Sequence, residues 1–148
     1  MFTIGHYNLG TRYDTSQVTG LTDYYLLHNL GGTLLLLGED DKYYSFLARS
    51  WEVNRESREI TFTLWDGLKF SDGSPISARD VEFTFRRLLR KGCVHLALSR
   101  LIQDGNSAGE LSTPFPGIAA LNDRQVRFRF TSLSTISLFI FTQPDGAI

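Results

Sequence analysis

Apolar and polar residues alternate from Glu59 to Leu64, with Ile60, Phe62 and Leu64 on one side and Thr61 and Thr63 on the other. That period of two is the pattern of a half-buried strand. It returns in Val126, Phe128 and Phe130, interleaved with Arg127 and Arg129, and predicts a second strand with a basic outer face. Between them the period becomes helical: Val81, Phe85, Leu88 and Leu89 fall on one stripe. Ser77-Ala78-Arg79-Asp80 has the form of a capping box at the start of this helix, and Gly92 is placed to stop it. Arg86, Arg87, Arg90 and Lys91 then sit towards the negative end of the helix dipole, which gives this basic cluster a structural explanation. Two turn clusters, Asp66-Gly67 and Asp72-Gly73-Ser74-Pro75, connect the first strand to the helix.

The remaining segments carry weaker patterns. Phe2 and Ile4 alternate with Thr3 and Gly5, a short strand. Leu21, Tyr24, Tyr25, Leu27 and Leu30 follow a helical spacing, with Thr22 as N-cap and Gly31-Gly32 as the stop. The apolar run Leu34 to Leu37 ends at Gly38-Glu39-Asp40-Asp41, a turn whose carboxylates lack the spacing of a calcium loop. A shorter helix is expected over His95 to Ile102, a loop over Ser107 to Pro116, a turn at Asn122-Asp123 and an apolar segment over Ile136 to Phe141. There is no internal repeat and no long linker. The fold class is α+β, a small mixed or antiparallel sheet with packed helices.

At 148 residues the chain is the size of one domain, and its 42% apolar and 21% charged residues are those of a globular protein. The net charge of -1 leaves no basic face for nucleic acid. Cys93 stands alone, so no internal disulfide forms, and it reads as a small buried hydrophobe. No apolar run approaches the roughly 20 residues of a membrane helix.

The chemical inventory is sparse. His6, His28 and His95 are isolated and lack metal-ligand spacing. Asp66 and Asp72 resemble an acid and base pair, but each precedes a glycine, as a turn requires. The serines have no nucleophile-elbow context and the glycines form no phosphate loop, so neither an enzyme nor a cofactor is expected. Trp51 and Trp65 are expected in the core rather than stacked on a ligand, with Trp51 mostly buried and Ser50 and Glu52 pointing away.

The order Leu47-Ala48, Ser50-Trp51-Glu52, Asp66-Gly67, Lys69-Phe70, Asp72-Gly73, Pro75, Ala78, Asp80-Val81 adds a more specific signal. It resembles the signature of the family 5 extracellular solute-binding proteins, the peptide-, dipeptide- and nickel-binding components of ABC importers. The flanks, Phe2 to Leu35 and Ala120 to Phe130, resemble the family more weakly. The resemblance implies a two-lobed periplasmic-binding-protein-like fold several times longer than this chain. On that reading residues 1–10 supply the first strand of the larger lobe and 11–148 a small domain of the N-terminal lobe, with the second lobe outside this sequence.

It further implies a binding component for a peptide or other small-molecule solute, partnered by the membrane permease subunits of an ABC transporter. Its location would be the periplasm or the outer face of the cytoplasmic membrane, with an export signal outside this sequence. In peptide-binding members a loop after the first strand pairs its backbone with the ligand, and ungapped alignment sets that loop at Thr19-Gly20-Leu21. The alternative for these residues is simply the lead-in to the Thr22 cap. Tyr13-Asp14-Thr15 departs from the family's Leu-Asp-Pro, which removes a constraint on φ there. The alternative function is a ligand-sensing domain of the same fold in a cytoplasmic transcriptional regulator.

Overall fold

The computed structural model describes residues 21–91, 102, 115–134 and 136–148. The expected strand at Phe2 to Ile4, most of the segment from His95 to Ile102 and the greater part of the loop from Ser107 lie outside them.

Helix α1 (Leu21–Leu30) opens the description, one residue ahead of the expected cap Thr22, and ends where Gly31 donates its N–H to Leu27 O at 3.0 Å. Strands β1 (Leu35–Leu37) and β2 (Tyr43–Ser45) form a small antiparallel hairpin. Its turn residue Asp40 accepts from Lys42 Nζ at 2.8 Å and from the Tyr44 hydroxyl at 3.0 Å. A second, four-stranded antiparallel sheet has the order β3 (Ala48–Asn54), β4 (Glu59–Leu64), β6 (Gln125–Arg129), β5 (Ile118–Ala120). Helix α2 (Ala78–Lys91) lies against β5 and β6. The chain closes with a short helix α3 (Ile136–Phe139) and two 3-10 turns, Ile140–Thr142 and Pro144–Gly146.

The alternation read from β4 and β6 selects the core. Phe62 faces Val126, and Ile60 faces Phe128, across the central strand pair, and all four are buried. From α2, Val81, Phe85 and Leu88 descend on the same face. Phe141 then inserts among these rings, with its centroid 4.6 Å from those of both Phe62 and Phe128 and 5.5 Å from that of Phe85. Edge-to-face packing of this kind adds to simple burial.

The turns behave as their sequences specify. Gly67 and Gly73 take φ of +72° and +89°, a region that side chains rarely enter. Asp72 Oδ1 accepts from the Ser74 hydroxyl and N–H, and the hydroxyl bond chiefly holds its carboxyl below the usual aspartate range. An isolated bridge between Lys69 and Pro75 closes the second turn.

At the start of α2 the capping box is made by half. Asp80 Oδ2 accepts from Ser77 N–H at 2.8 Å, but the Ser77 hydroxyl donates to that same oxygen instead of accepting from the helix. Asp80 is therefore the cap.

Four sequence expectations are corrected. Trp65, expected in the core, is exposed at 47% where the chain leaves β4, whereas Trp51 on β3 packs against the core as expected. Ser50 and Glu52 do point away from the core. Arg86 lies ahead of the last turn of α2 rather than at its negative end: it is buried, pairs with Glu82 at 3.3 Å and stacks over Phe115 at 5.9 Å. At Ile102 the expected helix gives way to an isolated antiparallel bridge with Phe130. The outer face of β6 is not simply basic, since Glu59 on β4 takes Arg129 Nη2 at 2.6 Å and lies 3.5 Å from Arg127 Nε. The buried Arg127 Nε makes no hydrogen bond at that distance, so its contact is ionic only.

Truncating Phe141 to Ala is expected to cost about 3 to 5 kcal/mol, read as a lowered urea midpoint, because the ring joins sheet to helix. At the cap, Asp80→Ala should cost about 1 kcal/mol and Ser77→Ala clearly less; the reverse order would restore the hydroxyl as cap.

The Arg129 bond chiefly holds the Glu59 carboxyl below the ordinary glutamate value of 4.5. The unfolded chain therefore protonates first on acidification. Glu59's contribution is complete above pH 4.5 and is lost as pH falls through the lower folded value. Glu59→Gln should destabilise by about 1 to 2 kcal/mol at pH 7, a gap to the parent that closes in acid. A gap independent of pH would refute the ionic role.

Candidate functional site

Of the three residues assigned to ligand pairing, Thr19 and Gly20 lie outside the described residues, while Leu21 opens α1 with its side chain outside the description. The structure thus brings none of them into a described site. Asp66 and Asp72 are both exposed turn residues: Asp66 pairs with Arg124 and Asp72 with Ser74, so they form no acid and base couple. Trp65 is exposed beside the first of these turns, and His28 ends α1 at the surface. Among the described residues no group of three or more histidine, cysteine or acidic side chains is placed to hold a metal ion.

A concave feature among the described residues was not read from the sequence. An open groove of about 780 Å³ runs between the β3–β4 turn, the segment after β6, and Tyr43 of β2. Its apolar lining comes from Val53, Ile60, Leu133 and Leu138, and its polar lining from Arg55, Arg58, Thr131, Ser132, Ser134 and Ser137. Burial pushes the Tyr43 phenol above the usual tyrosine value.

Both walls are braced by hydrogen bonds. In the turn, Asn54 Oδ1 accepts from the N–H groups of Glu56 and Ser57 at 3.0 and 3.1 Å, and Arg58 takes a left-handed φ of +57°. Arg58 is clamped twice to the end of β6: its carbonyl accepts from Phe130 N–H at 2.8 Å, and its Nη1 donates to Thr131 O at 2.9 Å. On the opposite wall, Ser137 N–H donates to Ser134 O and Ser134 N–H donates to Ser137 Oγ, both at 3.0 Å. Two signals in the sequence point here after the fact: the polar turn Asn54-Arg55-Glu56-Ser57-Arg58 and the hydroxyl-rich run Thr131 to Ser137. Neither has a periodicity that would join them.

Comparison with known proteins fits this architecture. The dipeptide-binding protein DppE of Bacillus subtilis is 25% identical over 122 residues, which is 80% of this chain and 22% of that protein. The probable D,D-dipeptide-binding periplasmic protein DdpA of Escherichia coli is 48% identical over 46 residues, 31% of this chain and 9% of that one. Among solved structures, the substrate-binding domain of an oligopeptide ABC transporter from Bacillus anthracis superposes with a TM-score of 0.79 at 22% identity, over 90% of this chain and 27% of its own. The chain therefore spans well under half the length of the relatives it matches. Its α+β fold, an antiparallel sheet packed by helices, is that of the matched part of these two-lobed proteins. Since residues 42–147, more than half of the chain, match the model of the bacterial extracellular solute-binding proteins, family 5 Middle, the chain belongs to that family.

Proposed function

We propose that this chain is part of the substrate-binding component of an ABC importer for peptides or other small solutes. On this reading residues 1–10 provide the first strand of a larger lobe, 11–148 form a small domain beside it, and a second lobe closes over the ligand. The observation that carries the proposal is the family match over residues 42–147, held on a fold shared with an oligopeptide-binding protein at a TM-score of 0.79. The described architecture supports it. The residues of the family signature serve as turns, a cap and core here, so chemistry is supplied elsewhere and the domain acts by shape and backbone.

Binding without covalent chemistry follows from this role, as family members are binding proteins. The membrane permease subunits of the transporter are the protein partners. The working site is the periplasm or the outer face of the cytoplasmic membrane, where a relative named periplasmic acts. Thr19-Gly20-Leu21 is the segment proposed to lay its backbone along an extended peptide. No cofactor takes part.

Calorimetric titration of a peptide library into this chain and into the full-length protein that carries it tests the reading. The full-length protein should bind with a micromolar Kd and the 148-residue chain beyond millimolar, because one lobe encloses only part of a ligand. Gly20→Val in the full-length protein should weaken binding about tenfold with an unchanged melting temperature. Equal binding by both proteins would place the site within this chain, and no binding by either would remove peptides as the solute.

A further inference from the structure

The groove beside the β3–β4 turn has a chemically one-sided lining. Arg55 and Arg58 both line the groove, and among the described residues no carboxylate does. Arg55 makes no hydrogen bond or ion pair among the described residues, and Arg58 uses one guanidinium nitrogen, Nη1, on Thr131 O. Glu56 stands between them in the turn but is not part of the lining, and Glu59 is taken by Arg129 and Ser57. The charged part of the lining is therefore positive, above a floor of Val53, Ile60, Leu133 and Leu138.

Those two halves call for a ligand with two halves. An inorganic anion would leave the apolar floor wet, and a neutral hydrocarbon would leave the guanidinium of Arg55 without a counter-charge. A carboxylate with an apolar tail satisfies both: the head pairs with a planar, multiply donating cation, and the tail dries the floor. At about 780 Å³ the groove lies within the size range of small-molecule sites. The wall that carries the cations is already fixed, by the Asn54 bonds within the turn and by the two bonds from Arg58 to the end of β6. Little ordering is left to oppose binding.

We infer that this groove is a second ligand site, selective for a medium-chain organic carboxylate that lays its tail on Val53, Ile60, Leu133 and Leu138 and its head on Arg55. The inference rests on the groove's own lining and stands whether or not peptides are the transported solute.

The probe is sodium octanoate, titrated into the 148-residue chain and followed by amide chemical shifts, with acetate and octylammonium as controls. Octanoate should bind saturably and shift the amides of residues 53–60 and 131–138. Acetate should bind at least about tenfold more weakly for want of a tail, and octylammonium should leave those amides unmoved. Arg55→Gln should weaken octanoate about tenfold, Arg55→Lys less, and Val53→Asp, which sets a carboxylate in the exposed mouth, should abolish binding. Both positions are exposed, so the variants should keep the parent's amide spectrum elsewhere. Equal binding of octanoate and octylammonium, or octanoate binding unchanged in Arg55→Gln, would overturn the assignment. So would failure of octanoate to shift the groove amides at all.

Discussion

The ring of Phe141 is the constraint around which the described structure is arranged. It touches the rings of Phe62, Phe85, Phe128 and Phe130, which come from the central strand, the long helix and the strand beside it. These residues are far apart in the chain, so their contact requires that α2 cross the sheet and that the last residues return under it. The second requirement is met closely. Gly146 lies so near Phe85 that an added Cβ would stand 2.9 Å from the ring, and Ile148 exchanges backbone hydrogen bonds with Gly32. The first is met by the two glycine turns and the Asp80 cap, which fix where α2 starts. Dense local specification in the family signature is thus the consequence of a core assembled from distant pieces.

A sheet of this size has two exposed edges, and they are treated differently. On the β5 side, Glu82 reaches from α2 and accepts from Ala120 N–H at 2.9 Å, so a helix side chain covers a strand edge. The burial of Arg86 belongs to the same device, because its guanidinium neutralises the glutamate that does the covering. On the β3 side, the start of the strand is covered: Leu34 O accepts from Ala48 N–H, and the Ser45 hydroxyl donates to Arg49 O. Among the described residues the far end, from Val53 into the turn, has no such cover. That is where the groove opens, and a bare, braced edge is what sets the position of its two arginines.

Much of this fold was legible in the sequence, and the boundary of what was legible is physical. Strands β4 and β6 announce themselves because one face of each is buried and the other is not, so period two is written into Ile60, Phe62, Leu64 and Val126, Phe128. Helix α2 and its turns were equally plain. Strand β3 was not, since as an edge it exposes most of both faces and its residues Arg49 to Asn54 show no alternation of burial. Strands β2 and β5 are three residues each, too short for a period to appear. Arg86 read as a cation serving the helix dipole because its burial depends on Phe115 and Glu82, neither of which periodicity can bring to it. The groove was invisible for the same reason: it is a sum over Tyr43, a turn at 55–58 and a segment at 131–138.

The two levels of the structure are joined at one backbone bond. Phe130 N–H donates to Arg58 O, so the strand that delivers Phe128 and Phe130 to the core is the strand that holds the cationic turn in place. Any loss of order in the aromatic cluster must therefore loosen the wall of the groove. Conversely, whatever binds there to the folded chain alone must stabilise the core by mass action. A domain that contributes shape rather than reactive groups can respond to a ligand in this way, through the same packing that gives it its form.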